Sequence, residues 1–160
     1  MTTVPRFDDV DALGIVNNAR FMTYAEEGRV AFLRAYDLAG RGWVVARTEI
    51  DYRRPILLDS GPVTVGVSVT SVGRASATLR QTLSQAGELA ADVVVVLVGY
   101  DATHRRPRRF DEDERAALLA HGPAPAPTPA PSQRQPREAD GARPGGSGAS
   151  GSTTQDAAQA

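Results

Sequence analysis

Residues 42–100 hold four successive stretches with the two-residue period of β-strands, joined by connections too short for crossover helices. In 44–52, Val44, Ala46, Ile50 and Tyr52 alternate with Arg47, Glu49 and Asp51. In 63–70, Val63, Val65, Val67 and Val69 alternate with Thr64, Gly66, Ser68 and Thr70. In 74–83, Ala75, Ala77, Leu79 and Leu83 alternate with Arg74, Ser76, Thr78, Arg80 and Thr82. Each pattern is that of a strand with one face buried. Parallel neighbours need long crossovers, so strands in this order pair antiparallel. Residues 93–98 are apolar at every position. In an antiparallel sheet that implies cover on both faces.

One long helix precedes these strands. Residues 2–7 read as a short first strand, and Asn17 or Asn18 can cap a helix running to about Leu38, because an Asx side chain accepts from an orphan first-turn N–H. Phe21, Tyr24/Ala25, Gly28, Ala31/Phe32 and Ala35 recur at helical spacing and form one stripe. A glycine inside a helix costs about 1 kcal/mol relative to alanine, so Gly28 predicts close approach to a neighbouring element. Met22, Val30 and Leu33 lie outside the stripe, which suits a helix largely enclosed by its surroundings. Residues 111–121 predict a short charged helix opened by an Asp111/Glu114 capping box. The long helix covers one sheet face, so a second subunit is expected over the other. The expected fold class is α+β, an antiparallel sheet with one central helix.

The folding unit is expected to be 1–122. Residues 123–160 hold seven of the eleven prolines and no Leu, Ile, Val, Met or aromatic residue. Such a segment buries too little apolar surface to offset its ordering entropy, so a disordered tail is expected. The 18 basic and 19 acidic residues nearly cancel, and no basic excess points to nucleic acid. There are no cysteines, which rules out disulfides, thiolate zinc ligands and thiol catalysis and fits a reducing, cytoplasmic setting. No apolar h-region opens the chain, and 93–98 is too short to span a bilayer, so neither a signal peptide nor a membrane partner is expected.

Three carboxylates, Asp8, Asp9 and Asp11, fall within four residues just ahead of the helix. Counted from Asp9, a calcium loop would need oxygen ligands where Leu13 and Arg20 stand, so that reading fails. Capping explains one or two acids, since anions favour helix N-termini. The remaining reading is a carboxylate base or nucleophile beside a helix N-terminus whose free amides polarise a carbonyl. No Gly-x-Ser-x-Gly elbow, P-loop or dinucleotide fingerprint occurs, and His104 and His121 have no evident triad partners.

The stretch Asp9-Val10-Asp11-Ala12-Leu13-Gly14-Ile15-Val16-Asn17-Asn18-Ala19-Arg20-Phe21, followed by Tyr24, Glu26-Glu27-Gly28-Arg29 and Phe32-Leu33, resembles the hotdog-fold acyl-CoA thioesterases of the 4-hydroxybenzoyl-CoA thioesterase-like branch. Further matches are 49–56 and the Gly73-Arg74-Ala75-Ser76 turn, so the resemblance covers about residues 3–118. It implies a five-stranded sheet wrapped around one long helix, and homodimers or homotetramers. It implies hydrolysis of an acyl- or aryl-CoA thioester to free acid and CoA, with no cofactor beyond the CoA of the substrate.

Residue by residue, the resemblance makes Asp11 the catalytic carboxylate, as nucleophile or general base, and the Asn18 backbone amide the carbonyl polariser. Asp9 would order the loop. Arg74 and Ser76 would contact CoA, with Arg53 and Arg54 as further candidates, and Phe21 and Tyr24 would shape the acyl pocket. Asp9, Asn17 and Glu49 are secondary site candidates. Ile15 stands where many relatives have histidine. The arginines of 104–109 could hold a phosphate, although a solvated strand exit accounts for them as well. A hotdog protein that binds acyl-CoA or acyl carrier protein without turnover is the competing reading. A dehydratase ranks below both, since it would need a histidine in a suitable loop.

Overall fold

The computed structural model describes residues 1–122; the tail expected over 123–160 lies outside the described residues. The elements are β1 (Thr2–Thr3), α1 (Asn18–Ala35), β2 (Trp43–Tyr52), β3 (Val63–Val72), β4 (Ser76–Gln85), β5 (Glu88–Asp101), β6 (Arg106–Pro107) and α2 (Glu112–Ala120). The sheet is antiparallel in the order β1-β3-β4-β5-β2, with β6 paired to the end of β5. Helix α1 crosses β3 and β4, and α2 packs beside β3. This is the sheet-around-helix arrangement of the hotdog fold. No described helix is long and apolar enough to cross a membrane.

Asn17 caps α1 by accepting the Ala19 N–H at 2.9 Å. The helix ends at Ala35, three residues before the expected end. Asp37 adopts φ +55°, and the Leu38 and Asp37 N–H groups donate to Leu33 O (2.8 Å) and Arg34 O (3.3 Å). This is a Schellman closure with Asp in the left-handed position, and it buries Leu38. Gly28 faces β3: a Cβ placed there would lie 2.4 Å from Val65 Cγ1. The close approach read from the sequence is therefore real.

The core lies between α1 and the sheet face carrying Val65, Val69, Leu79, Leu83, Val93, Val95 and Leu97. Gln81 and Gln85 occupy inward positions of β4. Gln81 Nε2 donates to Ala25 O of α1 at 2.6 Å. Gln85 accepts from the Leu57 N–H and donates to Leu57 O and Gly61 O, pinning the segment after β2. Val94, Val96 and Val98 line the opposite face and are half-buried, with no helix over them among the described residues.

Two further sequence expectations need correction. The first strand spans Thr2–Thr3, not 2–7, because Pro5 lacks an N–H and Phe7–Asp9 turn into a single 3-10 turn closed by the Asp9 side chain on the Arg6 N–H, 2.9 Å. In β2 the register shifts between Val45 and Arg47, a bulge at Ala46. Val44 consequently shares the open face with Arg47, Glu49 and Asp51, not the face of Ile50 and Tyr52.

The candidate active site

The segment ahead of α1 is a small hairpin. Val10 and Val16 pair, the Asp11 N–H donates to Ile15 O at 2.8 Å, and the Gly14 N–H returns to Asp11 O at 3.0 Å. Gly14 sits at φ +75°, a conformation that costs glycine little and other residues more. The hairpin is stitched to the chain after β2 by the Ile15–Leu57 bridge and by the Val16 N–H on Ile56 O, 2.9 Å. Asp11 stands at the base of the turn, half-buried. Its Oδ1 accepts the Leu13 N–H at 2.8 Å, and its Oδ2 has no partner among the described residues.

Asp9 is placed differently. It is buried, its backbone O accepts the Asn17 N–H at 2.8 Å, and its carboxylate accepts the Tyr24 hydroxyl at 2.7 Å and the Arg6 N–H at 2.9 Å. Arg20 Nε lies 3.1 Å from Asp9 Oδ1. Burial alone would raise the Asp9 pKa, but the Tyr24 hydroxyl, the Arg6 amide and the Arg20 charge outweigh it and hold the carboxyl below its ordinary range. Burial, followed by the Asp9 anion, pushes the Tyr24 phenol well above its ordinary value. Tyr24 was expected to shape a substrate pocket; the structure instead buries it as the partner of Asp9.

The first turn of α1 leaves one amide open. The Asn17 N–H serves Asp9 O, the Ala19 N–H the Asn17 side chain, and the Arg20 N–H Asn17 O. The Asn18 N–H has no acceptor among the described residues. Asn18 borders a groove of about 360 Å³ whose apolar walls are Ile15, Val16, Phe21, Tyr52 and Pro55, with Arg53 and Arg54 at its rim. Asp11 does not line this groove itself; its backbone N–H is bonded to Ile15, which does. Arg53 pairs with Asp51 at 3.1 Å and Arg54 with Glu88 at 2.6 Å, all four side chains being exposed.

Other sequence candidates lie elsewhere. Arg74 and Ser76 are at the far end of the sheet, where Ser76 pairs with Val98 and Arg74 O accepts the Phe110 N–H. The ten residues of β4 place them roughly 30 Å from the hairpin at about 3.3 Å per residue. Glu49 pairs in register with Val94 on the open face and bonds Arg47, away from α1. His104 Nδ1 lies 2.6 Å from Asp101 Oδ2, a pair the sequence reading did not find, and Asp101 also accepts the Thr103 and His104 N–H groups. The His104 amide and ring together hold Asp101 below its ordinary pKa. This pair too is at the far end of the sheet. No three His, Cys, Asp or Glu side chains gather into a possible metal site among the described residues. Sequence reasoning treated Tyr52 as a strand residue only. Its signal was its place on the face of Ile50, immediately before Arg53.

Comparison with known proteins gives the chain a family. Residues 5–118 match the family described as the Thioesterase-like superfamily. A crystal structure of a thioesterase complexed with coenzyme A and Zn, from Thermus thermophilus, is 38% identical, covering 75% of this chain and 91% of that one, with a TM-score of 0.69. A predicted thioesterase from Bacillus stearothermophilus is 26% identical over 78% of this chain and 96% of that one, with a TM-score of 0.72. A thioesterase superfamily protein from Jannaschia sp. CCS1, 20% identical over 78% of this chain and 92% of that one, shares the fold with a TM-score of 0.73. No curated protein sequence gives a significant match. The chain belongs to the thioesterase-like superfamily and is a thioester hydrolase.

Proposed function

We propose that the chain hydrolyses an acyl- or aryl-CoA thioester to the free acid and CoA. The observation that carries this reading is a helix-N-terminal amide with no acceptor (Asn18) lining an apolar groove whose edge residue Ile15 is bonded, backbone to backbone, to Asp11, a carboxylate with an uncommitted oxygen. A thioester carbonyl directed at the Asn18 N–H would develop negative charge on its oxygen against that amide and the positive end of α1. Asp11, as an anion, then either attacks the carbonyl carbon, expelling the thiolate and leaving a mixed anhydride for water to cleave, or takes a proton from an attacking water. Both routes give free acid and CoA thiol. The relative from Thermus thermophilus, described with coenzyme A bound, supports the choice of thiol carrier. The cysteine-free chain accords with a cytoplasmic setting.

The site would be completed by a second copy. β2 is a sheet edge with Val44 and Val45 exposed, and Leu13 within the Asp11 turn and Phe7 in the 3-10 turn before it are each 80% exposed. Antiparallel pairing of two β2 edges would bring the partner's far sheet end, with Arg74 and Ser76, alongside this hairpin. Arg53 and Arg54 at the groove rim would add donors for the phosphates of CoA. The half-buried valines of the open face offer a further contact for a tetramer.

One observation favours the competing reading of binding without turnover: Asp11 Oδ1 holds the Leu13 N–H, as a carboxylate that only shapes the turn would do. Thiol release from a panel of acyl-CoAs by the native chain and by Asp11→Asn separates the two.

A further inference from the structure

We propose that the ring of Tyr52 is the wall that sets which acyl groups the groove admits; this rests on the reading of the groove as the acyl site. Tyr52 is the last residue of the edge strand β2, and it is 45% exposed. A side chain in that position ordinarily samples several rotamers. Two contacts hold this one. Its ring meets Phe21 edge-on, with centroids 5.2 Å apart and planes at 78°. Its hydroxyl donates to Asn18 O at 3.3 Å. An aromatic edge-to-face contact and a long hydroxyl hydrogen bond together hold the ring in one orientation, as a plate. The plate stands over the first turn of α1, within one residue of the free Asn18 amide. An acyl chain whose carbonyl met that amide would run along the plate. Phe21 is buried and backed by the core, so it cannot yield. Tyr52 has solvent beside it, so its size decides the width of the groove.

The test uses the full chain and three non-hydrolysable thioethers, S-ethyl-, S-hexyl- and S-dodecyl-CoA, with affinities measured by calorimetry. Tyr52→Ala should shift the preference toward S-dodecyl-CoA over S-ethyl-CoA by about tenfold or more, because each newly buried methylene favours binding about fourfold. Tyr52→Trp should weaken the hexyl and dodecyl probes and spare the ethyl one. Tyr52→Phe keeps the plate and should keep the wild-type ranking within about twofold. The same ranking in wild type, Tyr52→Ala and Tyr52→Trp overturns the proposal, as does a wild-type chain that binds no probe. Should Tyr52→Ala fail to fold by circular dichroism, Tyr52→Trp decides alone. A wild type that binds the probes but hydrolyses no acyl-CoA overturns the hydrolytic reading and leaves the role of Tyr52 to be judged on the ranking.

Discussion

The Tyr24 hydroxyl donates to Asp9 Oδ2 at 2.7 Å inside the protein, and through that bond the second turn of α1 holds the loop that carries Asp11. The loop is tied again where the Asn17 N–H meets Asp9 O. Asp9 therefore fixes both ends of the hairpin while taking no place in the groove.

Tyr24→Phe should destabilise the fold by about 1–3 kcal/mol in urea unfolding, since it strips a donor from a buried carboxylate. Thiol release should fall with it even under conditions where the variant remains folded. A variant as stable as wild type would show the bond to be incidental.

The same carboxylate predicts an acid response. Asp9 titrates below its reference value of 3.8 in the folded state. Its stabilisation is therefore complete above that reference and is lost as pH falls through the lower folded value. Below about pH 4 the wild type should lose stability more steeply than Asp9→Asn, although Asp9→Asn is the less stable protein at neutral pH. Melting temperatures across acid pH read this directly, and parallel curves would count against it.

Gly28→Ala should cost about 1–3 kcal/mol, because its new methyl would lie 2.4 Å from Val65 Cγ1 and something must shift. Val65→Ala on the same chain should recover part of that loss. Additive losses in the double variant would mean the two residues are not the clash.

Ala86 and Gly87 form the two-residue turn between β4 and β5 with φ of +52° and +81°. The turn type suits Asn-Gly, and an alanine in the left-handed region is strained. Ala86→Asn should raise stability by roughly 0.5–1 kcal/mol and leave hydrolysis unchanged. A melting temperature at or below that of wild type would argue against strain at this position.

If a second copy completes the site, Asp11→Asn and Arg74→Ala chains should complement each other. Co-expressed, a mixed dimer contains one intact composite site, and the statistical mixture should recover about a quarter of the wild-type rate. Activity no greater than the sum of the two separate variants would mean that Asp11 and Arg74 serve the same chain or do not serve the reaction.

Period and capping made much of the fold legible. The alternation in β3 and β4, the Asn17 cap, the Asp111/Glu114 box and the tight contact implied by Gly28 all appear in the structure as read. What escaped were features that only tertiary contacts decide. The Ala46 bulge reverses the face of Val44 without altering local composition. Asp37 ends α1 in a conformation more often given to glycine, because burying Leu38 offsets the strain. Tyr24 and Tyr52 are both tyrosines of apolar stripes, yet one bonds a buried carboxylate and the other flanks the groove. The difference lies in what stands opposite each ring, and spacing along the chain does not encode it. The motif stretch 9–21 did locate the hairpin that carries Asp11 and leads into the Asn18 amide at the groove, while Arg74 and Ser76 lie a full strand length away.

The most direct test of the account is thiol release from a panel of acyl- and aryl-CoAs by wild type and Asp11→Asn at equal concentration, with folding of both checked by circular dichroism. The account predicts that wild type cleaves at least one member and that Asp11→Asn cleaves it at least about a hundredfold more slowly, the scale expected for loss of a positioned base or nucleophile. A folded wild type that cleaves none, or a variant that cleaves as fast as wild type, would contradict it.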